Sequence, residues 1–191
     1  SNQIDKKDVD SLVKIATKNY KNICHRYYKY KAKHFGTVKL NYWDRNAPYP
    51  KTKDRKINWN EAKKIVLDSY YGFDKKLGDI ANIFFEKSWI HAKISRGKAS
   101  GAFSHPTVPK CHPYILVNFQ GKIRDVMTLA HELGHGIHQY LANKNGFLLS
   151  DTPLTLAETA SVFGEMLTFR SLLKNSKDKD EKKFLLRNKI E

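Results

Sequence analysis

The sequence predicts a mainly α-helical fold carrying a small β-sheet, with a short strand near residues 114–119. Three observations predict it. Apolar residues recur three and four positions apart over most of the chain, and the prolines fall between those stretches or at their starts. One run, Tyr114-Ile-Leu-Val-Asn-Phe119, is β-branched and apolar instead. With 40% hydrophobic and 28% charged residues, the 191-residue chain has enough apolar side chains to bury a core, which excludes a disordered tail.

Residues 8–35 read as one long helix. Val9, Leu12, Val13, Ala16, Tyr20, Ile23, Cys24, Tyr27 and Tyr28 recur at helical spacing, and Gly36 is placed to end it. Residues 37–56, with Pro48 and Pro50, read as irregular. A helix starts near Asn58, where Asn58-x-x-Glu61 resembles a capping box, and carries Ile65, Val66 and Tyr70 to Gly72. The next spans about 74–90 on Leu77, Ile80, Ile83, Phe84 and Trp89. Residues 95–113 are rich in Gly, Ser, Pro and Lys and read as a loop before the strand, which Gly121 breaks. From Ile123 a helix runs through Met127, Ala130, Leu133, Ile137 and Leu141 to about Asn143. Asp151-Thr152-Pro153 has the form of a helix start, with Asp151 as cap and Pro153 at the first helical position. That helix carries Leu156, Ala160, Phe163 and Leu167. The charged stretch from Asn175 ends on Phe184-Leu-Leu186 without a cap or a core partner, and reads as a truncated tail.

The formal net charge of +16 ordinarily raises nucleic-acid binding. Its distribution argues otherwise. Residues 1–100 carry a net +13, whereas 101–170 are balanced. The basic residues are 28 Lys to 7 Arg, placed singly or in pairs, while bases and phosphates are read by Arg forks. A solvated Lys-rich surface is expected, and no nucleic-acid partner. The longest apolar run, 114–117, is far short of the roughly 18–20 residues of a membrane span. The first residues lack the apolar stretch of a signal peptide. Cys24 and Cys111 show no Cys-x-x-Cys spacing, so two free thiols in a reducing cytoplasm are expected.

The strongest signal is His131-Glu132-Leu133-Gly134-His135. Histidines four apart on a helix project about 40° apart, close enough to hold one zinc ion, Zn2+. Glu132 lies beside that face, placed to act as general base toward the attacking water. A catalytic zinc takes a third protein ligand and keeps one position open. The spacing of His138 and Leu141 excludes a third histidine six residues after His135. An acidic residue from the following helix remains, and Asp151, Glu158 and Glu165 are the candidates. Capping is the simpler role for Asp151. Glu158 is favoured because Ala157, Thr159, Ala160 and Ser161 around it let two helices approach closely. Glu165, seven residues on and on the same face, is the alternative, and otherwise holds a ligand histidine by hydrogen bond.

The run Thr128-Leu-Ala-His-Glu-Leu-Gly-His-Gly-Ile-His138, followed by Ala157-Glu-Thr-Ala-Ser-Val-Phe-Gly-Glu165, resembles the thimet oligopeptidase and oligoendopeptidase F family of zinc metallopeptidases. Tyr42-Trp-Asp-Arg45 and His112-Pro-Tyr-Ile-Leu-Val-Asn118 are similar to its oligoendopeptidase F branch. The resemblance implies a zincin-like helical catalytic domain, with the small sheet beside a deep channel. It implies zinc on His131, His135 and Glu158, Glu132 as base and proton shuttle, and short peptides as substrates cleaved by attack of zinc-bound water. On this reading the chain is a partial catalytic domain: a helical region 1–94, the strand with the zinc-binding helices over 95–174, and the truncated tail 175–191. The strand's edge is placed to hold a substrate backbone as an added strand. Family members bind substrate and stabilise the oxyanion with later His and Tyr residues, but here the last of each are His138 and Tyr140. His105, His112 and Tyr114 are the remaining substrate-binding candidates. Two other readings stay open: a zinc-binding fragment without turnover, and a Lys-rich polyanion-binding module. The sequence leaves the oligomeric state undetermined.

Overall fold

The computed structural model describes residues 3–49 and 55–190. Their contacts divide the chain between residues 53 and 54 into two units.

The first unit holds α1 (Lys6–Asn19) and α2 (Arg26–His34), with a π-helical turn at Lys21–His25 between them. The single helix expected over 8–35 is therefore interrupted. The His25 amide reaches back five residues to the Tyr20 carbonyl at 3.0 Å, a register shift that apolar spacing does not report. Gly36 follows α2 at φ +70°, and the Thr37 amide returns to the Ala32 carbonyl at 3.1 Å. Lys31 is fully buried, its Nζ donating to the Arg45 carbonyl at 2.7 Å and lying 5.4 Å from the centre of the Tyr49 ring. The irregular 37–49 stretch holds one 3-10 turn, Tyr42–Asp44. Residues 50–54 of the segment expected to be irregular lie outside the described residues.

The second unit carries α3 (Trp59–Tyr71), α4 (Lys75–Glu86), β1 (Ile90–His91), β2 (Phe103–His105), β3 (Tyr114–Leu116), α5 (Ile123–Ala142), α6 (Leu154–Asn175) and α7 (Lys179–Ile190). Asn58 caps α3, its Oδ1 accepting the Glu61 amide at 2.9 Å, and Asp74 caps α4 through the Leu77 amide at 2.9 Å. α5 forms the spine. Val126, Leu129, Ala130 and Leu133 are fully buried, packed among Val66 and Tyr70 of α3, Phe84 of α4, and Ile115 and Val117 at and beyond β3.

The sheet has the order β1-β3-β2, with β1 parallel and β2 antiparallel to β3. Several expectations are corrected here. α4 stops at Glu86, and Ile90 begins a strand, because Trp89 and Ile90 fit a strand facing the core as well as a helical repeat. Residues 103–105 of the expected loop form β2. β3 ends at Leu116 and is the middle strand, so both of its edges are taken and it cannot receive an added strand. Asp151 does not cap α6 by side-chain hydrogen bond; the helix starts after Pro153. The expected tail is helical, with Leu185 buried. Cys24 and Cys111 are free thiols, as expected. Among the described residues no helix is long and apolar enough to cross a membrane.

Candidate metal centre

α5 and α6 approach each other through small residues. A Cβ on Gly134 would lie 2.5 Å from the Ala160 carbonyl oxygen and 2.8 Å from Ser161 Cα. Three residues further along α6, a Cβ on Gly164 would lie 2.9 Å from the Ala130 carbonyl oxygen and within 2 Å of the Tyr70 hydroxyl. That hydroxyl donates to the Ala130 carbonyl at 3.0 Å, tying α3 to α5 beside the crossing. Glycine at both positions lets the two backbones touch, and this contact sets how far Glu158 stands from the histidines.

His131 and His135 project from one face of α5 toward α6. The Oε2 atom of Glu158 lies 3.2 Å from His131 Nε2 and 3.5 Å from His135 Nε2. One ligand atom from each of the three residues lies within 4.8 Å of the other two. Zinc held by bonds of about 2.0–2.1 Å in a tetrahedron would separate its donors by roughly 3.3 Å, which the two contacts bracket. Two imidazoles and a carboxylate are also the donor types zinc selects, so the residues present fit such an ion. Asp151 is absent from the cluster.

The electrostatics suit the same purpose. Burial depresses the His135 pKa more than the Glu158 carboxylate raises it, favouring the neutral imidazole a metal requires. A hydrogen bond from Ser161 is the main cause holding the Glu158 carboxyl below its ordinary range, with the two histidines adding to it. Ser161 Oγ donates to Glu158 Oε2 at 2.8 Å, and Ser161 itself is fully buried. Glu132 is 7% exposed, and burial pushes its carboxyl above the ordinary range, the direction that suits a general base. Glu165 Oε2 lies 3.2 Å from His131 Nδ1, and its Oε1 receives Lys189 Nζ at 2.6 Å.

His131, Glu132, His135, Glu158 and Glu165 thus meet at the α5–α6 crossing. The other three candidates lie elsewhere. Ser104 and Ile115 pair across β2 and β3, and both face α5: Ser104 Oγ donates to Gln139 Oε1 at 2.8 Å, and Ile115 packs at Gly136. By strand alternation the neighbouring pair, His105 and Tyr114, faces away from α5. His112 stacks on the Trp89 ring, centroids 3.9 Å apart and planes 5° apart. Sequence reasoning missed Lys189 and the anchoring role of Ser161. Ser161 had a signal, a hydroxyl three residues from Glu158 on the same helix; Lys189 had none.

A His-Glu-x-x-His helix with a carboxylate from its successor is one donor set found in metal-dependent peptidases. The chain belongs to peptidase family M3, whose model matches residues 2–191. Oligopeptidase PepF of Bacillus subtilis strain 168 is 28% identical over 192 residues, covering 100% of this chain and 28% of the relative. An oligoendopeptidase F homolog of Borreliella burgdorferi is 31% identical over 194 residues, covering 100% of this chain and 32% of the relative. A crystal structure of a peptidase from Chlamydophila abortus superposes with a TM-score of 0.82 at 29% identity, over 99% of this chain and 31% of that one. PZ peptidase A, solved with an inhibitor, shares the fold at 21% identity and a TM-score of 0.81, over 98% of this chain and 34% of that one. The chain spans about three tenths of the length of the curated relatives it matches.

Proposed function

We propose that the chain supplies the zinc site and the general base of an oligoendopeptidase that hydrolyses short peptides. The observation that carries this reading is the convergence of His131, His135 and Glu158 beside a buried Glu132. Zinc, when bound, polarises the scissile carbonyl and lowers the pKa of water. His131, His135 and Glu158 would hold the ion, and the Glu158 side chain is 59% exposed to solvent. Glu132 takes the proton of the attacking water, a transfer helped by its raised pKa, and then delivers it to the departing amine.

The peptide backbone is seated by β2 rather than β3. Among the described residues β2 is paired on one side alone, and Ser104 fixes it to Gln139, one turn beyond His135 on the same face of α5.

A second reading, metal binding without turnover, is favoured by His105 and Tyr114 facing away from α5, which leaves the oxyanion without a donor from either. Losing such a donor costs about 2.7–4 kcal/mol in the transition state. The two readings separate on one assay, hydrolysis of a quenched fluorescent peptide library by the zinc-loaded chain with Glu132→Gln alongside. Turnover in the parent and none in the variant supports a complete site. Absence of turnover in both, with zinc bound, supports the second reading. A variant that cleaves at the parental rate overturns Glu132 as the base.

A further inference from the structure

The contacts behind His131 end on the last helix. Glu165 meets His131 Nδ1 through Oε2 at 3.2 Å and Lys189 Nζ through Oε1 at 2.6 Å. Both side chains are mostly buried, at 23% and 29% exposure. We propose that Lys189 is a positioning residue of the metal centre, holding Glu165 so that the docking of α7 sets the affinity of His131, His135 and Glu158 for zinc. This rests on the metal-binding reading above.

A glutamate has three rotatable side-chain bonds, and a single contact to an imidazole leaves its carboxylate free to turn. Held at both oxygens, Glu165 presents Oε2 to His131 in one orientation. A carboxylate only accepts, so Nδ1 must be the donor, and the lone pair of His131 falls on Nε2. That is the nitrogen 3.2 Å from Glu158 Oε2. Lys189 reaches Glu165 because α7 is docked. Leu185, 4% exposed and one turn earlier on the same face, packs inward, and Glu181 accepts the Ser176 hydroxyl at 2.6 Å. Residues 165 and 189 come from different helices, so the hold exists only in the folded arrangement of α6 and α7.

The test is zinc affinity of the 191-residue chain, measured by competition with a chromophoric chelator. The variants are Lys189→Met, Lys189→Arg, Glu165→Gln and the Lys189→Met/Glu165→Gln pair. Groups that orient a ligand histidine typically account for 10–100-fold in metal affinity. Lys189→Met should weaken zinc about tenfold and Lys189→Arg by no more than about twofold. The visible spectrum of the cobalt-loaded chain should shift in the first and match the parent in the second. In the Glu165→Gln background Lys189→Met should have no further effect, since the lysine acts through that carboxylate. Parental affinity in Lys189→Met, or an undiminished loss in the double variant, overturns the proposal. Should Lys189→Met fail to fold, as judged by melting of the metal-free chain, Lys189→Gln carries the same expectation and the same refutation. A parent that takes up no zinc overturns the metal site itself, and the proposal with it.

Discussion

Gly134→Ala tests whether the helix crossing builds the site. The added Cβ would lie 2.5 Å from the Ala160 carbonyl oxygen, where an ordinary carbon–oxygen contact is about 3.3 Å or more. Relief requires α5 and α6 to part by roughly 0.8 Å, because the atoms met are backbone and cannot rotate away. Overpacking of this kind costs about 1–3 kcal/mol, or about 2–12 °C in melting temperature for a chain of this size. The same movement carries Glu158 from the histidines. Its contacts of 3.2 and 3.5 Å would open beyond the tolerance of about 0.2 Å that metal–ligand distances allow. Zinc affinity should therefore fall at least tenfold, out of proportion to the stability loss. Differential scanning fluorimetry and chelator competition on parent and variant measure the two effects. A variant with parental melting temperature and parental affinity would refute the reasoning that the glycine contact sets the ligand spacing.

Two further outcomes follow from residues on either side of the strands. Lys98 Nζ donates to the carbonyls of His91, Lys93 and Val117 at 2.9, 3.0 and 2.7 Å, pinning the loop after β1 to the end of β3. Lys98→Met should cost about 1–2 kcal/mol, since the ammonium is partly solvated, and urea melts should show it as a lower midpoint at an unchanged slope. Glu132→Gln should keep the parental zinc stoichiometry by elemental analysis while removing turnover of any peptide the parent cleaves.

Local chemistry made the two-histidine helix legible in the sequence. His131, Glu132 and His135 need only a helix to converge, and Glu158 needed only the small residues that bring a second helix near. Capping was legible at Asn58 for the same reason, since the cap spans three residues. What was hidden depends on partners far along the chain. β2 is three residues in a Gly-rich stretch and exists because β3 pairs with it; Ile90 is a strand for the same reason. The π turn at 21–25 leaves the apolar spacing intact and so leaves no trace in it. Asp151 has a capping side chain in a plausible place, yet α6 begins beyond its reach. Lys189 is one of 28 lysines, and only the docking of α7 distinguishes it.

Glu158, the proposed third ligand, distinguishes a metal centre from a pair of histidines on one helix. Equilibrium dialysis of the chain against zinc, with Glu158→Ala alongside, measures its contribution. One equivalent bound by the parent, with affinity at least a hundredfold weaker in the variant, is the predicted result. A parent that binds no zinc, or binding that is unchanged when Glu158 is removed, would contradict the assignment of His131, His135 and Glu158 as the metal centre.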